Sequence, residues 1–177
     1  MKKELIIIGA GGHAKVVLDA VVKQAEYTVK GFCVDGFPKG QLVFDSYPVL
    51  DDVLLSNSGT DKSLYFIVAV GDNDARKKLY ENALLKYTPA TVIHTSAILG
   101  SNVRIGDGSV VLANAVVNAL VTIGNNCIIG TGVLIDHDCI LGDHVHLNIG
   151  SIVGSKSILS NSFKSSIGEK IESASKI

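Results

Sequence analysis

The sequence predicts a fold of the α/β plus β class: a small Rossmann-like parallel α/β domain over residues 1–89, then a parallel β-helix of hexapeptide repeats over residues 90–177. Three observations support this prediction. Apolar runs alternate with amphipathic stretches in the first half of the chain. A glycine-rich turn follows the first apolar run, and an aliphatic residue recurs at every sixth position of the second half.

The first half of the chain contains alternating strand and helix signals. We predict strands over 4–8, 28–34 and 64–70, helices over 14–24 and about 75–86, a short helix over 51–55 and a loop over 37–47. A succession of strand, helix, strand, helix and strand implies a small parallel sheet. Residues 89–92 form the predicted junction with the repeat.

The turn after the first strand has the sequence Gly-Ala-Gly-Gly-His-Ala, which matches the G-x-G-x-x-A form of the phosphate-binding turn. Gly9, Gly11 and Gly12 would let the backbone approach a phosphate, and the next helix points its positive end at that phosphate. Asp35 ends the second strand, where a ribose-binding carboxylate is expected. We favour a nucleotide or nucleotide sugar over a tight turn that binds nothing. His13 either contacts this ligand or caps the helix.

Only about half of a doubly wound domain precedes the repeat, which disfavours a full dinucleotide as the ligand. A second strand-to-helix turn lies on the same edge of the sheet and contains Gly71, Asn73 and Arg76. Two interpretations of this turn stay open. It is simple helix capping by Asp72 or Asp74, or it brings Arg76 to a phosphate.

The second half is governed by a six-residue period. Its aliphatic series is Ile93, Leu99, Ile105, Val111, Val117, Ile123, Ile129, Ile135, Leu141, Leu147, Val153 and Leu159. Four residues later stands a series of slim residues: Ala97, Val103, Ser109, Ala115, Val121, Cys127, Val133, Cys139, Val145, Ser151 and Ser157. A strand alternates faces at every residue, so both series point inward only if a corner separates them. The period therefore predicts a β-helix.

Glycine or asparagine often follows the aliphatic residue directly, as at Gly100, Gly106, Asn118, Gly124, Gly130, Gly142, Asn148 and Gly154. These residue types tolerate positive φ, so we expect them to form the corners. Cys127 and Cys139 occupy slim inward positions, and Cys33 ends a predicted strand. We therefore expect all three cysteines to serve packing rather than catalysis.

The composition excludes several classes of function. The formal net charge is −1 and the pI about 6.5, without a basic run, so nucleic acid is not an expected partner. No apolar segment is long enough for a membrane span, and residues 1–4 lead directly into a strand without a signal-like core, so we expect a cytoplasmic protein. Three cysteines do not suggest a disulfide framework.

The stretch around His137 has the residue types of a general base. Asp136 and Asp138 flank this histidine at an outward corner of the repeat. A carboxylate beside an imidazole fixes its tautomer and stabilises its charged form. A zinc site made by His137, His144 and His146 is disfavoured, because separations of seven and nine residues around a coil do not converge on one ion. We therefore predict no metal.

Three segments together resemble the bacterial sialic acid O-acetyltransferase family (NeuD- and PglD-like). They are Ile-Ile-Gly-Ala-Gly-Gly-His-Ala-Lys-Val at 7–16, the hexapeptides, and Asp-His-Asp-Cys at 136–139. The resemblance implies a left-handed, three-sided β-helix that acts as an acyltransferase domain, and an N-terminal domain that holds a nucleotide sugar. It implies transfer of an acetyl group from acetyl-CoA to a sugar amine or hydroxyl, often on a UDP-linked 4-amino sugar. His137 matches the catalytic histidine, Asp138 its acidic partner and His146 the second active-site histidine.

Family members are typically homotrimers with active sites between neighbouring β-helices. The spacing in this sequence agrees with that arrangement. With three hexads to a coil, twelve hexads make four coils, and nine residues from His137 to His146 are half a coil. The two histidines should thus lie on different sides of one β-helix and cooperate only across a subunit interface.

The sequence departs from the family pattern after Leu159. The next six-residue step falls on Ser165, and Phe163 takes a slim position. We therefore expect a β-helix shortened at its C-terminus relative to the family, whose further coils help to bind coenzyme A. Ser155 and Lys156 are the candidate donor contacts, or else ordinary repeat surface. An open last coil would also expose a strand edge.

Three functional hypotheses follow. The first is acetyl transfer, in which His137 is the base and a backbone N–H or His146 stabilises the oxyanion. The second is a non-catalytic nucleotide-sugar-binding or assembly protein derived from such a transferase. The third is a nicotinamide-dependent enzyme that uses the Gly9 turn; it is disfavoured because no hydride-transfer site is evident.

Overall fold

The structure is a computed structural model that describes residues 2–50 and 60–177. The chain divides into two compact units, Met1–Ala90 and Thr91–Ile177. The short helix predicted over 51–55 lies outside the described residues. Within the described residues, no helix is both long and apolar enough to cross a membrane.

The first unit is built on a small parallel sheet, as the alternation of strands and helices predicts. Its elements are β1 (Lys3–Ile8), α1 (Gly12–Gln24), β2 (Tyr27–Cys33), β3 (Leu42–Val43), β4 (Tyr47–Pro48), β5 (Tyr65–Val68), α2 (Asn73–Leu84) and β6 (Thr88–Pro89). The strand order is β2-β1-β5-β6, and all pairs are parallel. Because β1 is central, Leu5, Ile6 and Ile7 are fully buried.

Two elements of this unit differ from the prediction. The segment 37–47 was expected to be a loop, but it contributes to an antiparallel hairpin in which Leu42 pairs with Pro48 and Val43 with Tyr47. Strand β6 adds an edge to the sheet and ends at Pro89, the first residue of the expected junction. Both elements are only two residues long, too short to show a period in the sequence.

The second unit is a left-handed parallel β-helix. Its strands are β7 (Val92–Ile93), β8 (Ile98–Leu99), β9 (Arg104–Ile105), β10 (Val110–Val111), β11 (Val116–Val117), β12 (Thr122–Ile123), β13 (Ile128–Ile129), β14 (Leu134–Ile135), β15 (Ile140–Leu141), β16 (His146–Leu147), β17 (Ile152–Val153), β18 (Ile158–Leu159) and β19 (Lys170–Ile171). They form three parallel sheets, β7-β10-β13-β16, β8-β11-β14-β17-β19 and β9-β12-β15-β18. Paired residues are 18 positions apart, so each coil has three sides.

The inward series forms the core of the β-helix. From Val111 to Leu159 each aliphatic of the series is at most 2% exposed, whereas Leu99 in the first coil is 38% exposed. Each coil is covered only by its neighbours, so a terminal coil leaves more of its core uncovered. Cys127 and Cys139 are fully buried among these aliphatics, and their packing role is confirmed.

Glycine is required directly after the aliphatic residue for a different reason from the one expected. Gly130, directly after an aliphatic, does not have a positive φ; a Cβ at this position would lie 2.6 Å from the carbonyl oxygen of Leu147 in the next coil. Positive φ occurs two residues later, at Gly132 (+67°), and the same corner position is Asn126 (+53°) or Asp138 (+61°) in other hexads. The expectation that the first glycine supplies positive φ is therefore wrong. Glycine is needed at the first position because the backbone of the next coil leaves no room for a Cβ.

A column of Asp and Asn side chains links successive coils at one corner. The backbone N–H of Asp107 donates to Asn125 Oδ1 at 2.8 Å, that of Asn125 to Asp143 Oδ1 at 2.7 Å, and that of Asp143 to Asn161 Oδ1 at 2.9 Å. Corners lack strand pairing, so these side chains supply acceptors that the backbone does not.

The β-helix continues beyond Leu159, although the six-residue series is interrupted there in the sequence. Ile171 pairs with Val153 and is 6% exposed, and Ile158 bridges in parallel with Lys176. The three sheets therefore extend into a fifth coil, one more than the twelve hexads predict.

Serine replaces the aliphatic in that last coil without breaking it. Ser165 is 2% exposed; its Oγ accepts from the backbone N–H of Asn148 at 2.8 Å and lies 2.8 Å from Ser151 Oγ. A buried hydroxyl with hydrogen-bond partners is tolerated in a core. Phe163, in a slim position, is half-buried and packs against the core at this end.

Candidate active site

His137 stands at the corner between β14 and β15. The backbone N–H of Asp138 donates to the carbonyl of Ala119 one coil earlier, at 3.1 Å, and the N–H of Lys156 donates to the carbonyl of His137, at 3.0 Å. Ser155 lies 18 residues after His137, so it occupies the same position one coil later. We call this corner, residues 118–120, 136–138 and 154–156, the histidine corner.

The ring of His137 lies between two carboxylates. Its Nδ1 is 2.7 Å from Asp138 Oδ2, and its Nε2 is 3.9 Å from Asp136 Oδ2. An ionised carboxylate only accepts hydrogen bonds, so Nδ1 carries the proton and the Nε2 of the neutral ring has the lone pair. The side chain is 49% exposed, so this lone pair is accessible. The geometry is that of an oriented base.

Asp136 is held in place by two hydrogen bonds to one of its oxygens. Its Oδ1 accepts from the backbone N–H of His137 at 2.9 Å and from Asn118 Nδ2 at 3.0 Å. The backbone bond first, and the Asn118 bond second, hold the pKa of Asp136 below its usual value, because both stabilise the ionised form. Asn118 was not among the site residues predicted from the sequence. Its distance of one 18-residue coil from Asp136 is the signal that would have found it.

An apolar groove of about 370 Å³ borders the histidine corner. Its lining residues are Val116, Asn118, Leu134, Ile135, Asp136, Ile152, Val153 and Gly154. Leu134 and Ile152 project outward from two adjacent coils and are 44% and 37% exposed. The two carboxylates and the imidazole therefore stand beside a surface suited to an aliphatic chain.

The structure does not bring His146 to His137 within one chain. His146 begins β16, on a different sheet from β14 and β15, and is only 8% exposed. Nearby, His144 is also buried, and its Nδ1 is 2.8 Å from Asn126 Nδ2. In the part of the chain that the structure describes, no group of three His, Cys, Asp or Glu side chains is placed to hold a metal ion.

The glycine-rich turn of the first unit places Gly9 and Asp35 on one cleft. Gly9 has φ +101°, and a Cβ there would come within 2.8 Å of the Val70 side chain. Its N–H donates to the carbonyl of Cys33 at 2.8 Å. The cleft has a volume of about 240 Å³ and is lined by Ile8, Gly9, Cys33, Val34, Asp35, Val70 and Leu79.

Gly11 and Gly12 are needed neither for conformation nor for packing of the described residues. Neither has a positive φ, and a Cβ at either position would meet nothing within 4 Å. Gly11 is the N-cap of α1, and no side chain among residues 2–50 and 60–177 caps this end. The N-terminus of α1 is thus open on the outside, as an anion-binding turn requires.

The second turn is a capped helix start. Asp72 Oδ1 accepts from the backbone N–H of Ala75 at 2.9 Å, so Asp72 rather than Asp74 caps α2. Arg76 is only 1% exposed, and its Nη1 is 3.4 Å from the carbonyl oxygen of Val70. Asn73 is 8% exposed. Gly71 precedes the cap. The structure therefore places Arg76 inside the unit and not on its surface.

His13 is the titratable group of the glycine-rich turn. Burial, and then the nearby positive charge of Arg76, lower its pKa from 6.5 to about 4. The imidazole is therefore neutral at pH 7, since burial and a neighbouring cation both oppose its charged form.

We expect the pKa of His13 to make the protein less stable in mild acid. The unfolded chain takes up a proton near pH 6.5 and the folded chain only near pH 4, so the free energy of unfolding falls as the pH drops through this window. His13→Gln should flatten that fall. Urea denaturation across the window, compared between the parent and the variant, measures the difference; parallel curves for the two would contradict the assignment.

Comparisons with known proteins identify the family. The PglD N-terminal domain model matches residues 4–83. The acetyltransferase domain of PglB from Neisseria gonorrhoeae is 31% identical over 99% of this chain and 88% of that chain, with a TM-score of 0.75, and has been solved with acetyl coenzyme A. PerB from Caulobacter crescentus, solved with CoA and GDP-perosamine, is 30% identical over 98% of this chain and 88% of that chain, with a TM-score of 0.68.

A curated relative points to the same class. The UDP-N-acetylbacillosamine N-acetyltransferase of Bacillus subtilis is 33% identical over 112 residues, 63% of this chain. The match covers 52% of that protein, so the chain spans about half the length of this curated relative. The fold and the matched relatives are those of sugar acetyltransferases. The chain belongs to the NeuD/PglD-like family of sugar acetyltransferases, which confirms the resemblance drawn from its sequence.

Proposed function

We propose that this protein transfers an acetyl group from acetyl-CoA to the amine, or hydroxyl, of a nucleotide-linked sugar, with a UDP-linked 4-amino sugar as the foremost acceptor. One observation carries the proposal: Asp138 holds Nδ1 of His137 at 2.7 Å and so presents Nε2 as a base at an exposed corner. The relatives solved with acetyl coenzyme A, and with CoA and GDP-perosamine, support both substrate classes.

His137 is proposed to remove a proton from the acceptor while the acceptor attacks the thioester. As the acceptor nitrogen or oxygen bonds to the thioester carbonyl carbon, its proton passes to Nε2 of His137. Asp138 keeps the tautomer correct and stabilises the imidazolium that forms. The C–S bond then breaks, and the proton passes to the leaving sulfur. A backbone N–H, or His146 of a neighbouring subunit in a homotrimer, stabilises the oxyanion.

The acetyl donor is proposed to lie along the histidine corner. Ser155 and Lys156 are one coil beyond His137, and Lys156 is exposed. The apolar groove beside Asp136 offers a surface for the aliphatic arm of coenzyme A. All residues of this proposed donor site belong to the β-helix coils that the structure describes.

The nucleotide part of the acceptor is proposed to occupy the glycine-rich turn. Gly11 and Gly12 would offer backbone N–H groups at the start of α1 to a diphosphate, while Gly9 and Asp35 line the cleft, where Asp35 would accept from the ribose. Gly71, Asn73, Arg76 and His13 complete the proposed binding region. Since Arg76 is buried, it acts through its charge and not by direct contact.

The proposal is tested by free-thiol release from acetyl-CoA with a panel of UDP-linked amino sugars. At least one amino sugar should raise thiol release well above the rate without acceptor, with acetylated sugar as the product. Thiol release that no member of the panel stimulates would overturn the catalytic proposal. Calorimetric binding of UDP-sugar without binding of acetyl-CoA would then favour the non-catalytic nucleotide-sugar-binding protein.

Gly12→Ala tests the acceptor turn separately from catalysis. The added methyl group meets open space, so the free energy of unfolding should change by less than about 0.5 kcal/mol. The methyl group crowds a bound phosphate, and UDP-sugar affinity should fall by about tenfold, as expected when a hydrogen bond to a charged group is lost. Lys23→Ala, at the other end of α1, is the control. Calorimetry that gave equal affinity for Gly12→Ala and the parent would place the nucleotide elsewhere.

A further inference from the structure

Two hydrogen-bond acceptors at the histidine corner are left to face a substrate. Nδ1 of His137 is taken by Asp138, and Oδ1 of Asp136 is taken by Asn118 and by the backbone. What remains is Nε2 of His137 and Oδ2 of Asp136, 3.9 Å apart. Both atoms belong to exposed side chains.

We propose that Asp136, positioned by Asn118, is the residue that selects an amine over a hydroxyl as the acetyl acceptor. This inference rests on the proposed function and deepens it, because the general proposal leaves the acceptor atom open.

An amine and a hydroxyl differ in the hydrogen bonds that they can donate. A neutral primary amine has two N–H donors and one lone pair; a hydroxyl has one O–H donor and two lone pairs. A nitrogen placed about 2.9 Å from both Nε2 and Oδ2 donates once to each and keeps its lone pair for the thioester carbon. The distance of 3.9 Å between the two acceptors permits such a position.

A hydroxyl in the same position is mismatched. Its single proton goes to Nε2 of His137, because that proton must be removed during attack. A lone pair of the oxygen then faces Oδ2 of Asp136, which is also an acceptor. Sites that hydrogen-bond an N–H or O–H group discriminate against an analogue that lacks it, since a polar atom of the site is then left without that partner.

The charge of Asp136 adds to this preference. Its pKa lies below the usual value, so it is ionised throughout the neutral range. Sugar amines are partly protonated near pH 7, and an ammonium group is attracted to a carboxylate. Asn118 contributes by fixing which oxygen of Asp136 faces the substrate.

The acetyl transfer to the amine consumes no reagent other than the acetyl thioester. The ammonium form loses one proton to solvent and becomes the neutral amine. The C–N bond forms and the C–S bond breaks, while the second proton passes from nitrogen to Nε2 of His137 and then to the thiolate. The products are an amide and a free thiol, and Asp136 is unchanged.

The test compares a UDP-linked 4-amino sugar with its 4-hydroxy counterpart as acetyl acceptors, using the chain of residues 1–177. The parent should have a much higher kcat/KM for the amine. Asp136→Asn should lower kcat/KM for the amine by about 10- to 100-fold, the cost of losing a hydrogen bond to a charged acceptor. For the hydroxyl, kcat/KM should fall by much less than for the amine, or rise, because an amide N–H then faces the oxygen lone pair. Circular dichroism checks that the variant is folded.

Two further variants separate selection from general support of the histidine. Asn118→Ala should raise KM for the amine more than it lowers kcat, and should lower kcat/KM for the amine more than for the hydroxyl. Asp138→Asn should lower kcat for both acceptors equally, because it acts on His137 itself. Equal losses for both acceptors in Asp136→Asn, or a parent that prefers the hydroxyl, would overturn the role of Asp136 alone. A parent that transfers to neither acceptor would overturn the proposed function as well.

Discussion

Replacing His137 by alanine is expected to lower kcat for acetyl transfer by about 10²- to 10⁴-fold, the usual contribution of a positioned general base. The imidazole is the group at the histidine corner whose lone pair is oriented by a carboxylate, at 2.7 Å from Asp138. Substrate contacts to the groove and to the glycine-rich turn remain, so KM for both substrates should change little. Thiol release with the best UDP-linked acceptor measures the effect.

His94→Ala is the matched control for this variant. His94 lies in the same β-helix. Its Nδ1 is 2.8 Å from Ser96 Oγ and accepts from the backbone N–H of Ser96, so its described partner is a serine and not a carboxylate. Its removal should leave kcat unchanged. Since His137 is half exposed, His137→Ala should unfold at the same temperature as the parent. A His137→Ala protein that releases thiol at the parental rate in the presence of the sugar would refute the role of His137 as the base.

The second large effect is on stability and concerns two neighbouring glycines. Gly130→Ala should lower the free energy of unfolding by about 3 kcal/mol, because its Cβ would lie 2.6 Å from the Leu147 carbonyl oxygen and 3.0 Å from the backbone of Asn148. Backbone atoms of the next coil cannot move aside without disturbing the strand pairing. Gly132→Ala should cost only about 1 to 2 kcal/mol, the penalty of a positive φ, because its Cβ would meet open space.

Urea denaturation of both variants beside the parent tests this order. The comparison is well controlled, since the same methyl group is added two residues apart in one coil. Destabilisation of Gly132→Ala greater than that of Gly130→Ala would mean that backbone conformation, and not the close approach of coils, dictates glycine in this β-helix.

The sequence predicted the β-helix well because the six-residue period is repeated many times. Each inward aliphatic from Val111 to Leu159 is buried, since a position that recurs in a stack faces the same neighbours in every coil. The parallel sheet of the first unit was predicted equally well from the alternation of strand and helix signals in the sequence. His137, Asp136 and Asp138 could be proposed as a site from the sequence, because a histidine between two carboxylates at a corner of the repeat is a recognisable chemical pattern.

What the sequence did not reveal depends on contacts between distant positions. A serine such as Ser165 has the composition of a surface residue, and only its bonds to Asn148 and Ser151 show that it fills a core. The role of Asn118 is equally hard to predict from the sequence, because its side-chain amide donates to Asp136 one coil later. Glycines such as Gly130 cannot be assigned to φ or to crowding before the neighbouring coil is placed.

The 18-residue coil restricts the lengths of insertions and deletions that the second unit can accommodate. Asn118 and Asp136 are one period apart and bonded, so six or twelve extra residues between them would carry Asp136 to another side of the β-helix. Extra residues that are not a multiple of six would turn the inward aliphatics outward. A complete period inserted before Asn118 would instead leave the pair and His137 together. Length changes in this half of the chain should therefore be tolerated in whole periods, and only outside the span from Asn118 to Asp136.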